Sequence, residues 1–117
     1  MSTGPVEASC HCGAVRFEIA RPPEDVTDCN CSICRRLGAL WAYYTLAEVA
    51  IIPASGATDT YMWDDRSLSF HRCKVCGCTT HWYPVDTSRN RMGVNARMMG
   101  PEILAAVPVK KLDGASW

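Results

Sequence analysis

Residues 73–78 read Cys73-Lys74-Val75-Cys76-Gly77-Cys78, "CKVCGC", and this stretch organises the rest of the chain. Cys-x-x-Cys-Gly is the sequence of a zinc knuckle. The chain turns sharply so that two sulfurs face one metal, and Gly77 permits the positive φ that the turn needs. A knuckle supplies two ligands and a closed tetrahedral site needs four. Cys10 and Cys12, in "CHC", are suited to the other two: in an extended segment residues i and i+2 project from one face. The spacing therefore predicts a closed site of Cys10, Cys12, Cys73 and Cys76. It ties the N-terminal segment to the middle of the chain, a long loop whose closure helps a small core.

The remaining cysteines are Cys78 and the three of "CNCSIC", Cys29, Cys31 and Cys34. Cys31 and Cys34 are spaced i, i+3 at the start of a helical turn and can share a metal, with Cys29 reaching it from the extended segment before. The positive end of the helix favours thiolates there. Two other readings stand beside this one: buried apolar cysteines and an iron–sulfur cluster on four cysteines. The paired spacings argue against the first, and the knuckle glycine favours zinc over the second. Cys78 reads as a small core residue after the knuckle.

Around these clusters the pattern is that of one mainly β domain over residues 1–117. Val15, Phe17 and Ile19 alternate with Arg16 and Glu18, the mark of a half-buried strand. Ser32 to Leu37 reads as a short helix, with Ser32 as N-cap and Gly38 as its stop. Strands are expected at 40–45, 49–52, 58–63, 68–73, 79–83, 92–96 and 107–112, with turns at Ser55-Gly56 and Asp64-Asp65. Pro101 to Leu104 suggests a second short helix with proline in its first turn.

Composition narrows the function. Of 117 residues, 48% are apolar and 21% charged, so the chain is globular in type. Twelve basic residues balance twelve acidic ones and no basic run exceeds two, which gives no reason to expect a nucleic-acid partner. No apolar stretch approaches the ~20 residues of a membrane span. The N-terminal MSTGPVEAS has neither a basic nor an apolar signal region. The expectation is a cytoplasmic protein with no membrane partner, in which eight cysteines serve metal more readily than disulfides.

The order CxC, CxCxxC, CxxCG resembles the glutathione-dependent formaldehyde-activating enzyme family, also called centromere protein V-like. The likeness runs from Cys10-His11-Cys12-Gly13-Ala14-Val15 through Cys29 to Arg36 and Phe70 to Gly77, and the late Leu112-Asp113-Gly114 resembles the family's tail. The resemblance implies a β-tent fold, shared with a zinc-binding chaperone of Rab GTPases. It implies two zinc ions: a structural one on Cys10, Cys12, Cys73 and Cys76, and one on Cys29, Cys31 and Cys34 where a substrate thiol binds. It implies a carbon–sulfur lyase that joins formaldehyde to glutathione, giving S-hydroxymethylglutathione. On this reading Cys29, Cys31 and Cys34 are catalytic, and Arg35 and Arg36 pair with the carboxylates of a glutathione-like substrate. The alternative is a non-catalytic binding or scaffold module with both zincs structural. The fourth ligand at the Cys29 site separates the two. Cys78, His71 and His81 are the candidates to close it. Trp41, Tyr43, Tyr44, Trp63, Trp82 and Tyr83 are expected as core or pocket wall.

Overall fold

The computed structural model describes residues 4–63 and 66–116. Ten short strands form two sheets. β1 (Val6–Ser9), β2 (Arg16–Ile19) and β5 (Val49–Ile52) make a small antiparallel sheet in the order β1-β2-β5. The other seven are β3 (Val26–Cys29), β4 (Trp41–Tyr44), β6 (Thr58–Tyr61), β7 (Leu68–Cys73), β8 (Thr79–Pro84), β9 (Met92–Asn95) and β10 (Val109–Leu112). Their order is β10-β3-β4-β9-β8-β7-β6, antiparallel throughout except that β10 runs parallel to β3. Two short helices, α1 (Ser32–Leu37) and α2 (Pro101–Ala106), complete the set. The mainly β reading holds.

Side-chain alternation gives the large sheet two different faces. On β4, Ala42 and Tyr44 join Phe17, Ile19, Val15, Met92 and Val94 in the core beneath the small sheet. Trp41 and Tyr43 point the other way, into a second cluster with Cys29, Cys34, Phe70 and Trp82. The first face is a dry interior. The second carries the cavity described below.

Gly93 shows why that second face is open to aromatic rings. It pairs with Tyr43 on one side and Trp82 on the other. A β-carbon there would collide with the Trp82 indole. The two rings instead meet across the bare backbone, with centroids 6.2 Å apart.

The strand at 49–52 and helix at 32–37 lie where the sequence puts them. The strands read at 58–63 and 107–112 are shorter, and the second helix runs on to Ala106. Two strands escaped the pattern: β1, whose Ala8 is weakly apolar, and β3, where Thr27 is buried and breaks the alternation. The N-cap of α1 is Cys31, not Ser32; its sulfur accepts the Cys34 N–H at 3.4 Å. The turn expected at Asp64-Asp65 lies outside the described residues.

Candidate metal centres and the cavity beside them

Cys10 and Cys12 do not sit on one face of an extended segment. They occupy the tight turn between β1 and β2, while Cys73 ends β7 and Cys76 lies in the turn that leads to β8. Both turns place a glycine at positive φ just after the second cysteine, Gly13 at +83° and Gly77 at +78°. A side chain would strain the backbone at either place. In the second turn the Gly77 N–H donates to the Cys73 carbonyl at 3.0 Å. Two hairpin tips, one from each sheet, thus bring their sulfurs together.

The sulfur separations test the fit to a metal. A tetrahedron of thiolates about 2.3 Å from a central ion has edges of about 3.8 Å. The Cys10–Cys12 and Cys12–Cys73 Sγ distances are 3.7 and 3.6 Å, far from the roughly 2.05 Å of a disulfide. The four sulfur atoms all lie within 4.8 Å of one another. Backbone N–H groups also aim at them: Val15 donates to Cys10 at 3.3 Å and Val75 to Cys73 at 3.4 Å. The N–H groups of Cys78 and Cys12 draw the Cys76 thiol down to about 5. The residues fit a four-thiolate ion.

Cys29, Cys31 and Cys34 form the second cluster, again with sulfurs within 4.8 Å. Cys29 ends β3, Cys31 caps α1 and Cys34 lies within it. Burial pushes the Cys34 thiol up to about 12, and the Trp41 Nε1–H, donating to it at 3.4 Å, opposes this. Burial also opposes the Cys31 thiolate, but the Cys34 N–H and the neighbouring thiols outweigh it, and the net shift is downward.

No fourth cysteine, histidine, aspartate or glutamate joins this trio among the described residues. The three candidates to close it lie elsewhere. Cys78 is half-buried beside the four-cysteine cluster, in contact with Cys76 and with the His11 backbone. His71 and His81 stack on the opposite face of the sheet, centroids 4.2 Å apart. His71 Nδ1 meets the Thr58 hydroxyl at 2.7 Å, and His81 Nδ1 the Thr80 hydroxyl at 2.8 Å.

The trio instead opens on a cavity of about 700 Å3, within the range of small-molecule sites. Five aromatic side chains stand in its walls: Trp41, Tyr43, Trp63, Phe70 and Trp82. Tyr44 faces the core, and Tyr83 lines a separate cavity beside the two histidines. Arg35 and Arg36, expected at the substrate, do not line the cavity; both are exposed, and Arg36 turns back to the Ser32 carbonyl at 2.8 Å. The cations that do line it are Arg89 and Arg91. They were missed because nothing in sequence places the chain before β9 next to Cys29. Gly114 also lines the cavity, directly against Cys29.

The fold and site thus define a mainly β domain with a four-cysteine cluster between its sheets and a three-cysteine cluster in a cavity, each with sulfurs close enough to share a metal ion. Residues 5–106 match the family described as glutathione-dependent formaldehyde-activating enzyme, and the chain belongs to that family. A protein of Halomonas elongata, named provisionally as a glutathione-dependent formaldehyde-activating enzyme, is 43% identical over 77 residues. That alignment covers 64% of this chain and 45% of the relative, so the match spans less than half of the relative's length. A crystal structure of a Rhodobacter sphaeroides protein matches with a TM-score of 0.73 at 29% identity, covering 89% of this chain and 99% of the other. No helix among the described residues is long and apolar enough to cross a membrane.

Proposed function

We propose that the chain is a zinc-dependent enzyme of the carbon–sulfur lyase type. It binds a small thiol such as glutathione beside Cys29, Cys31 and Cys34 and condenses it with formaldehyde. One observation carries this reading: three convergent sulfurs lack a fourth protein ligand among the described residues and face a cavity. The family membership agrees with it. Zinc is the ion best suited to both clusters, structural on Cys10, Cys12, Cys73 and Cys76.

In the reaction a sulfur–carbon bond forms, the carbonyl π bond breaks, and the thiol proton ends on the new hydroxyl. Zinc held by three thiolates would lower the pKa of a substrate thiol, favouring its nucleophilic form. The protein's own groups hold the site. The Cys34 N–H and the Trp41 indole N–H donate to the sulfurs of Cys31 and Cys34 and disperse their charge. The aromatic walls limit water around the reacting atoms and confine the thiol, so that encounter with the aldehyde becomes a question of orientation.

Glutathione and formaldehyde also combine without a catalyst, so the test is a rate. Exchange NMR with 13C-formaldehyde should show S-hydroxymethylglutathione forming faster with zinc-loaded protein than with buffer or with Cys31→Ala. A zinc-loaded protein that adds nothing to the uncatalysed rate would leave the scaffold role as the better account.

A further inference from the structure

We propose that Arg89 and Arg91 form a carboxylate-binding subsite in the three-cysteine cavity, so that the site selects thiols carrying a carboxylate over neutral thiols. The inference rests on the reading that a thiol binds beside Cys29, Cys31 and Cys34, and it adds which part of that thiol is recognised and by what.

Apart from the thiols, Arg89 and Arg91 are the only charged groups among the described residues lining the cavity, and none of those residues is an acid. Neither forms an ion pair with a described carboxylate; the three ion pairs found involve Arg21, Lys110 and Lys111. Asp86 lies near enough to feel the Arg89 charge, but its carboxylate accepts the N–H and hydroxyl of Ser88 at 3.0 and 2.6 Å.

Arg89 and Arg91 are exposed at the cavity's rim, on a loop held by local hydrogen bonds. Thr87–Arg89 is one 3-10 turn, capped by Asp86 and closed by Asn90 at φ +48°. The Asn90 side chain accepts the Leu46 N–H at 3.1 Å. The Arg91 guanidinium lies over the Tyr43 ring, 4.1 Å from its centroid, a contact that holds a cation flat while leaving its edge N–H groups available.

The spacing suits a peptide thiol. On β4, Trp41 touches Cys34 and Tyr43 touches Arg91. Residues i and i+2 of a strand are about 7 Å apart. In a thiol such as glutathione six bonds separate the sulfur from the C-terminal carboxyl carbon, also about 7 Å when extended. The cysteine contact and the cation contact thus fall two positions apart on one face of β4, in the order that a molecule lying along the strand with its sulfur at the trio would meet them. A guanidinium meets a carboxylate through two parallel hydrogen bonds, which fixes orientation as well as affinity.

The test measures binding without aldehyde, so its result is independent of turnover. Zinc-loaded protein is titrated with glutathione and with glutathione diethyl ester, which keeps the thiol and masks both carboxylates. Calorimetry and quenching of the cavity tryptophans report binding. Wild type should bind glutathione at least about tenfold more tightly than the ester, the weight of one charge-assisted hydrogen bond in a half-open site. Arg89→Gln and Arg91→Gln should each weaken glutathione while leaving the ester unchanged, and Arg91→Lys should recover part of the loss. Arg35→Gln and Arg36→Gln should change neither. Equal affinity for the two ligands in wild type, no binding of either, or the same discrimination in both cavity-arginine variants would overturn the subsite. Discrimination without turnover would overturn the proposed reaction and leave the subsite standing.

Discussion

Gly114 lies so close to Cys29 that a β-carbon on it would come within 2.6 Å of the Cys29 sulfur and 3.2 Å of the Cys31 β-carbon. The segment after β10 is held there by Asn30, whose side chain donates to Asp113 and accepts the Ala115 N–H, both at 2.9 Å. The tail is therefore one wall of the three-cysteine site. Gly114→Ala should push Cys29 out of line and weaken metal at that site about tenfold or more, leaving the four-cysteine site intact. Stepwise metal release with a graded chelator checks this; unchanged release from both sites would show that the tail yields freely.

The two clusters should differ in what they hold together. Cys12 and Cys73 meet across 61 positions of sequence and join the two sheets. By the loop-entropy reasoning used for disulfides, closing such a loop is worth about 4 kcal/mol. Cys76→Ala should unfold the chain or lower its melting temperature steeply. Cys31→Ala should leave a folded domain, since its ligands are local to β3 and α1. Melting curves and circular dichroism decide, and the reverse order would invert the structural and functional assignments.

With no substitution at all, a mild chelator should strip the three-cysteine site first. It faces a cavity, whereas the other site is enclosed by four sulfurs. Equal and slow loss from both would count against an open coordination position.

His81 sets an acid limit on stability. Burial, with the charge of neighbouring His71 adding to it, pushes the His81 imidazole down to about 3. A histidine in the unfolded chain titrates near 6.5. The unfolded state therefore takes up a proton that the folded state refuses. The stabilisation is complete above about pH 6.5 and is lost as pH falls towards 3. Between pH 7 and pH 5 this amounts to on the order of 2 kcal/mol. Melting temperatures taken across that range should fall more steeply for wild type than for His81→Gln; parallel slopes would remove His81 as the cause.

Gly93→Ala should displace the Trp82 ring that covers it. Because Trp82 lines the cavity, glutathione binding should weaken more than stability does. Tryptophan fluorescence together with a thermal melt separates the two effects.

What was legible in sequence follows from how local each signal is. The two cysteine sets, the helix over 32–37 and the strand over 49–52 depend on spacings within a few residues, and all are found. The pairing of residues 10–12 with 73–76 was also legible, because a knuckle states its own shortage of ligands. The first pair nevertheless sits in a hairpin turn, not on the extended face that i, i+2 spacing suggests. The cavity was not legible. Arg89, Arg91 and Gly114 reach Cys29 only through the order β10-β3-β4-β9, and strand order leaves no trace in local pattern. Arg35 and Arg36 follow Cys34 directly in sequence, yet helix geometry turns them to solvent.

The hairpin tips that hold the four-cysteine cluster also order events during synthesis. Cys10 and Cys12 leave the ribosome with their partners still more than sixty residues behind. At translation rates of about 5–20 residues per second, the half-built centre waits several seconds. In that interval Cys10 and Cys12 are accompanied only by the thiols of Cys29, Cys31 and Cys34. Only with the arrival of Cys73 and Cys76 can the four sulfurs converge and one sheet be tied to the other.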